Sequence, residues 1–167
     1  MIKVTFVRVT AMILFKLINL FNRRRVKNMN YEFMKKFKPS DYTLKETKYW
    51  LVILRQKQVT LGAVIIVPKR QISSFAEINT EEASELPSVI SWYENTASKL
   101  YHPDKFNYVA AMMKDPFAHF HGFPRYSREV EAYDLTWKDE YWPGLVKFAQ
   151  ITTDEGLLGR IRNDMKE

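Results

Sequence analysis

The chain has 167 residues, of which 46% are hydrophobic and 14% aromatic, enough to bury one core and too apolar for a disordered chain. Its formal net charge of +7 is unevenly placed: residues 1 to 28 hold 7 basic side chains and no acid, and removing these from the 26 Lys and Arg leaves 19 against 19 Asp and Glu. The neutral remainder carries no electrostatic footprint for a nucleic acid, and the absence of cysteine excludes disulfides, thiol catalysis and cysteine-ligated zinc or iron–sulfur centres.

The prefix joins an apolar run, Ala11 to Phe21, to the cluster Arg23-Arg24-Arg25. The run is too short to span a bilayer and is interrupted by Lys16, and its charges follow the apolar stretch where an export signal has them in front. Two readings stand. An interfacial helix would place Ile13, Leu14, Leu17 and Leu20 on one side, which confines any membrane contact to residues 1 to 28. Alternatively, three arginines in purine-rich codons spell a bacterial ribosome-binding sequence, with Val26 to Asn28 as its spacer, which predicts a native start at Met29. The division expected is therefore a basic extension, 1–28, and one domain, 29–167, in the cytoplasm.

Within the domain, Tyr31 to Phe37 is a short amphipathic stretch that ends before Pro39. Tyr49 to Leu54 (YWLVIL) and Leu61 to Val67 (LGAVIIV) read as adjacent antiparallel strands, the second stopped by Pro68 with Lys69 and Arg70 in a loop. Asn79 with Glu82 three residues on forms a capping box, which opens a helix running to about Tyr101 with Leu86, Ile90, Tyr93, Ala97 and Leu100 as its core stripe. Pro87 either kinks this helix or starts a second segment. After a turn at His102 to Lys105, Phe106 to Met113 and Ala118 to Tyr126 read as two more strands joined by a tight connection at Lys114 to Pro116. The order predicts an α+β fold, an antiparallel β-sheet backed by one long helix. Ser127 to Glu167, rich in Trp and Tyr, wraps the domain or reaches a partner; Tyr126, Tyr133 and Tyr141 suit either packing or base stacking.

Two of the 3 histidines are His119 and His121. At a spacing of two on a strand both imidazoles face one side of the sheet, behind Phe117 on that face, with Phe120 pointing into the core. Gly122 then leaves room for a ligand to approach the backbone, and Pro124 ends the ladder so that Arg125 reaches the rim. From spacing alone three readings compete. One is a chance pair on an exposed face. A metal site needs a third ligand, for which only His102 and Asp115 offer themselves, and no metal is expected. The third is an imidazole used as nucleophile and proton carrier beside a second imidazole.

The stretch HFHGFPR, His119 to Arg125, resembles the end of the histidine-triad signature, His-x-His-x-His-x-x-Pro-Arg, with the last two histidines on His119 and His121. LGAVIIVPKRQ at Leu61 to Gln71 resembles that family's strand and following loop, SSFAEINTEEASEL the segment leading into its helix, and Asn107 lies in the strand before the triad, so the match extends over roughly residues 45 to 128 in order. The resemblance implies a nucleotide hydrolase or transferase acting at an α-phosphate on substrates of the dinucleoside polyphosphate or nucleoside phosphoramidate type. It implies that His119 attacks phosphorus to give a nucleotidyl-histidine, that His121 binds the phosphate and assists the leaving group, and that Asn107 contacts the substrate. It also implies a homodimer formed through the helix and adjoining strand, a small nucleotide or phosphoester as partner, and no cofactor.

The pattern departs in places. Phe117 stands at the first triad histidine and removes a side-chain hydrogen bond to the nucleophile. The segment Met112 to Pro116 is short, with Ala111 where asparagine is common, and its Lys114 is either a replacement phosphate donor or a solvated turn lysine. The carboxylate that commonly holds the ribose falls near Arg55, and the loop histidine at Gln71. These losses keep open an alternative, a catalytically impaired nucleotide-binding or regulatory protein on the same fold.

Overall fold

A computed structural model describes residues 32–148 and 153–166. The chain divides into a unit of residues Met1–Glu32 and a unit of Phe33–Glu167, so the basic extension lies outside the described residues. Among the described residues no helix is long and apolar enough to cross a membrane.

A 3₁₀ turn, Glu32–Phe37, and one turn of helix, α1 (Pro39–Tyr42), lead into strands β1 (Thr43–Glu46), β2 (Trp50–Leu54) and β3 (Val64–Pro68). Helix α2 (Thr80–Tyr101) follows, then β4 (Lys105–Val109), β5 (Phe120–Arg125), the hairpin β6 (Val130–Ala132) and β7 (Leu135–Trp137), and helix α3 (Glu155–Lys166). The main sheet has the order β1-β2-β3-β5-β4 with every neighbouring pair antiparallel. The α+β architecture expected from the order of elements is thus present. β2 and β3 are buried along their whole length, as a sheet covered on both faces requires.

The capping box forms as read: Asn79 Oδ1 accepts from the Glu82 N–H at 2.9 Å and Glu82 Oε2 accepts from the Asn79 N–H at 3.0 Å. The Glu82 carboxylate also accepts from Arg70, and its carbonyl accepts from the Trp50 indole at 2.9 Å, so the helix start is tied to β2 and to the loop after β3. α2 runs unbroken through Pro87, which excludes a second segment. Its buried face is Glu82, Val89, Tyr93, Ala97 and Tyr101, while Leu86 and Ile90 lie on its flank and Leu100 is exposed.

Three strands are shorter than their apolar runs. β3 begins only at Val64 because Gly62, at φ 83, closes a turn around the buried Gln58, whose Oε1 accepts from the Gly62 and Ala63 N–H groups at 2.8 and 3.1 Å. β4 ends at Val109, opposite His121, where its partner strand is about to run out. β5 starts at Phe120, although the Ala118 N–H still donates to the Ile72 carbonyl at 2.7 Å and carries the extended path back through His119. The connection is accordingly a ten-residue loop, 110–119, not a tight turn.

The segment after Ser127 wraps its own domain. α3 buries Leu158, Ile161 and Met165 and packs on α2 and β1, and its Asp164 accepts from Tyr133, whose hydroxyl also meets that of Tyr101. The weak periodicity of the tail concealed this helix, which has only three buried positions.

Candidate active site

The alternation along β5 divides the site from the core. Phe120 stacks on Phe75 and lies against Trp50 on the helix side, whereas His119, His121 and Phe123 share the opposite face. Gly122 therefore points at the helix. A Cβ there would sit 2.9 Å from Tyr93 Cε1 and 3.0 Å from Val64 Cγ2, so the missing side chain accommodates helix packing, and the expected ligand approach over Gly122 is corrected.

The two imidazoles meet as the strand period predicts. His119 Nε2 and His121 Nε2 are 3.1 Å apart, and His119 Nδ1 is 2.9 Å from the backbone carbonyl of Phe117. A carbonyl only accepts, so Nδ1 carries the proton and His119 Nε2 holds the lone pair. His121 then donates through its Nε2–H, which leaves the lone pair of its buried Nδ1 without a partner among the described residues. The tautomer of His119 is thus set by the Phe117 main chain, and the phenylalanine that replaces the first histidine does not remove this constraint.

Both imidazoles are held neutral. Burial lowers the His119 pKa from the ordinary 6.5, and the positive charge of Lys36 adds to the effect. Burial also lowers that of His121, followed by His119, Arg55 and Lys36. His119 is 0% exposed and His121 8%. Their cover is the 3₁₀ turn: the Phe37 ring lies 5.6 Å from His119 and 5.7 Å from Phe117, Phe33 meets Phe117 edge-on at 4.9 Å, and Lys36 pairs with Asp115 of the loop before the histidines. Lys114 is exposed in that loop, and Gln71 is exposed as well. Among the described residues no group of His, Asp and Glu is arranged to hold a metal ion.

Arg125 lies elsewhere than expected, and Asn107 sits in β4 opposite Phe123, in the strand before the histidines. Arg125 is buried, not at the rim: its Nε and Nη2 donate to Asp139 at 2.6 and 3.2 Å and Nη2 to the Gly144 carbonyl at 2.9 Å, while Nη1 donates to Asn107 Oδ1. Asn107 faces the same side as the histidines but is engaged by this clamp. Pro124 does not end the ladder, since it sits inside β5 opposite Phe106. Tyr126 and Tyr133 are likewise engaged, Tyr126 through its hydroxyl on the Leu61 carbonyl at 2.8 Å.

Phe37 and Lys36 border the histidines without any local signal for that role, and Arg55, which the resemblance aligned with a ribose-holding carboxylate, borders them as well. Arg55, just after β2, places its guanidinium 5.7 Å from the Phe123 ring and 5.5 Å from that of Phe148. A basic residue next to an apolar strand marks its end, and only the folded sheet shows where it points.

No family profile matches the chain, and no curated protein is similar to it in sequence. Solved structures share its fold. A histidine triad protein from Marinobacter aquaeolei VT8 superposes with a TM-score of 0.63 at 22% identity, covering 79% of this chain and 90% of that one. A histidine triad (HIT) protein from Sinorhizobium meliloti 1021 gives 0.63 at 16%, over 78% and 91%. A hypothetical histidine triad nucleotide-binding protein from Sulfolobus tokodaii strain 7 gives 0.62 at 14%, over 80% and 86%. With the antiparallel sheet, the long capped helix and the paired histidines at the start of β5, the chain has the histidine-triad fold.

Proposed function

We propose that this domain binds a nucleotide or related phosphoester and cleaves it at the α-phosphate through His119. The observation that carries the reading is the hydrogen-bond order Phe117 carbonyl, His119, His121, which leaves the nucleophile's lone pair on Nε2 and a proton on the neighbouring imidazole.

In the first step the His119 Nε2 lone pair forms a bond to phosphorus while the bond from phosphorus to the leaving group breaks. The departing oxygen or nitrogen is hydrogen-bonded by His121 Nε2–H as it leaves and takes its proton from water. A nucleotidyl group is then held on His119. In the second step water attacks phosphorus, the P–N bond breaks, and the proton released from the attacking water returns to solvent, replacing the one the leaving group drew, so that both imidazoles are restored. Burial suits both steps, because a neutral nucleophile and a poor competing base are favoured where charge is poorly solvated. Since His119 is fully covered by Phe37, Phe117 and His121, the substrate enters after the 3₁₀ turn or the loop 110–119 gives way.

The substrates expected are dinucleoside polyphosphates and nucleoside phosphoramidates, and the expected assembly is a homodimer through α2 and the edge strand β4. The test is turnover of an adenosine and guanosine panel of both types, with rapid acid-free quenching and mass spectrometry to detect a nucleotidyl adduct on His119. Turnover that His119→Ala abolishes supports the enzyme. Binding without turnover, or an adduct that never clears, replaces it with the regulatory reading.

A further inference from the structure

Arg55 is a buried charge that the two-histidine chemistry does not use. Only 8% of it is exposed, and among the described residues its guanidinium donates to the Lys57 carbonyl and pairs with no carboxylate. A buried guanidinium without an acid partner costs stability, and its planar fork of donors is otherwise suited to an oxyanion. Its position is tied to the histidines. Phe148 meets His121 edge-on at 4.8 Å and Phe123 stacks on His121 at 6.1 Å, and both of these rings also flank Arg55. The orphaned Nδ1 of His121 is a buried polar atom without a partner among the described residues in the same place. Phe148, 41% exposed, stands at the outer side of this group.

We propose that Arg55 is a second anion site, so that the phosphoester attacked by His119 carries a further phosphate or carboxylate that docks on the guanidinium across the Phe123 and Phe148 rings. This rests on the reading of His119 as the phosphorus-binding nucleophile. A guanidinium only donates hydrogen bonds, so it cannot take the protons of a sugar diol, whereas a phosphate or carboxylate presents acceptors alone and fits its fork. Burial lowers the Arg55 pKa to about 10, which still leaves the side chain charged at neutral pH. The two rings exclude water from one side and strengthen whatever ion pair forms there. Nucleotides that bear a phosphate on the ribose as well as at the 5′ position have this distribution of charge.

The experiment measures binding of adenosine 5′-monophosphate, adenosine 3′,5′-bisphosphate and adenosine 2′,5′-bisphosphate to the full chain and to Arg55→Gln, Arg55→Lys and His119→Ala. The expected result is that one bisphosphate binds wild type about ten-fold or more tightly than the monophosphate, as a charged hydrogen-bonded contact implies. That ratio should fall towards one in Arg55→Gln, stay partly in Arg55→Lys and persist in His119→Ala. Equal binding of mono- and bisphosphates by wild type overturns the Arg55 site and leaves the His119 reading standing, as does a ratio that survives in a folded Arg55→Gln. A preference that depends on Arg55 while no panel substrate is turned over and His119→Ala changes nothing overturns the His119 reading instead. Absence of any nucleotide binding overturns both.

Discussion

His119 Nδ1 lies 2.9 Å from the backbone carbonyl of Phe117, so the main chain, not a third histidine, fixes which nitrogen of the imidazole carries the proton. The side chain of residue 117 does different work, packing edge-on against Phe33 and near Phe37 beneath the 3₁₀ turn. The two contributions are separable. In Phe117→Leu the ¹⁵N shifts of His119 should still report a protonated Nδ1, while stability falls by about 1–3 kcal/mol from lost aromatic packing. A switch of His119 to the other tautomer in this variant would show that the ring, not the carbonyl, holds it.

The cover over His119 gives a second expectation. Phe37 is buried and lies against both His119 and Phe117, and truncating it opens a path to an imidazole that has no exposure in the intact domain. Phe37→Ala is expected to lose about 3–5 kcal/mol of stability, as large aromatic truncations do. Under conditions where the variant is still folded, carbethoxylation of His119, followed by mass spectrometry, should be faster than in wild type by an order of magnitude or so, in line with local opening. Equal rates would place the entry path elsewhere than under the 3₁₀ turn.

The histidine pair was legible from sequence because strand alternation needs only a spacing of two, and the start of α2 because a capping box is local to four residues. What residues at the site are for was less legible. Arg125 reads as a rim residue until Asp139, fourteen positions on, is brought against it, and Gly122 reads as space until Tyr93 fills it. Arg55 and Phe148 are separated by most of the domain, and no periodicity links them. Such roles depend on tertiary neighbours, which override local propensity and pattern.

Acid should weaken the fold in a window set by the histidines. In the unfolded chain each takes up a proton near its ordinary pKa of 6.5, whereas burial and neighbouring positive charge lower the values of His119 and His121 in the folded state. Below about pH 6.5 the unfolded state therefore binds more protons, and stability falls as pH falls. The carboxylates with lowered pKa, among them Glu77, Glu82, Glu85 and Asp104, lose their contributions only at more acidic pH, below the ordinary carboxylate range. Denaturant unfolding at steps from pH 7.5 to 5.5 should show a decline of up to about 1.4 kcal/mol per pH unit for each histidine involved. His121→Asn should flatten it, and an unchanged slope in that variant would assign the acid sensitivity to other groups.

The Arg125–Asp139 pair supplies the sharpest stability prediction. Both side chains are almost completely buried, at 3% and 1% exposure, and Asp139 also accepts from the Tyr126 and Tyr141 N–H groups, while Arg125 holds the Asn107 side chain and the Gly144 carbonyl. Removing one partner strands the other's charge away from water, so Arg125→Met and Asp139→Leu should each cost about 3–5 kcal/mol. The double variant should cost less than the sum of the two, because the second substitution removes the charge that the first left unpaired. Asn107→Ala should weaken the same clamp, and its effect on nucleotide affinity should be smaller than its effect on unfolding free energy, because the clamp already engages this side chain. Chemical unfolding of the four variants together with nucleotide titration checks both statements. Additive losses in the double variant would mean that the ion pair is not coupled across the clamp, and a large affinity loss in Asn107→Ala with stability intact would return that residue to the substrate.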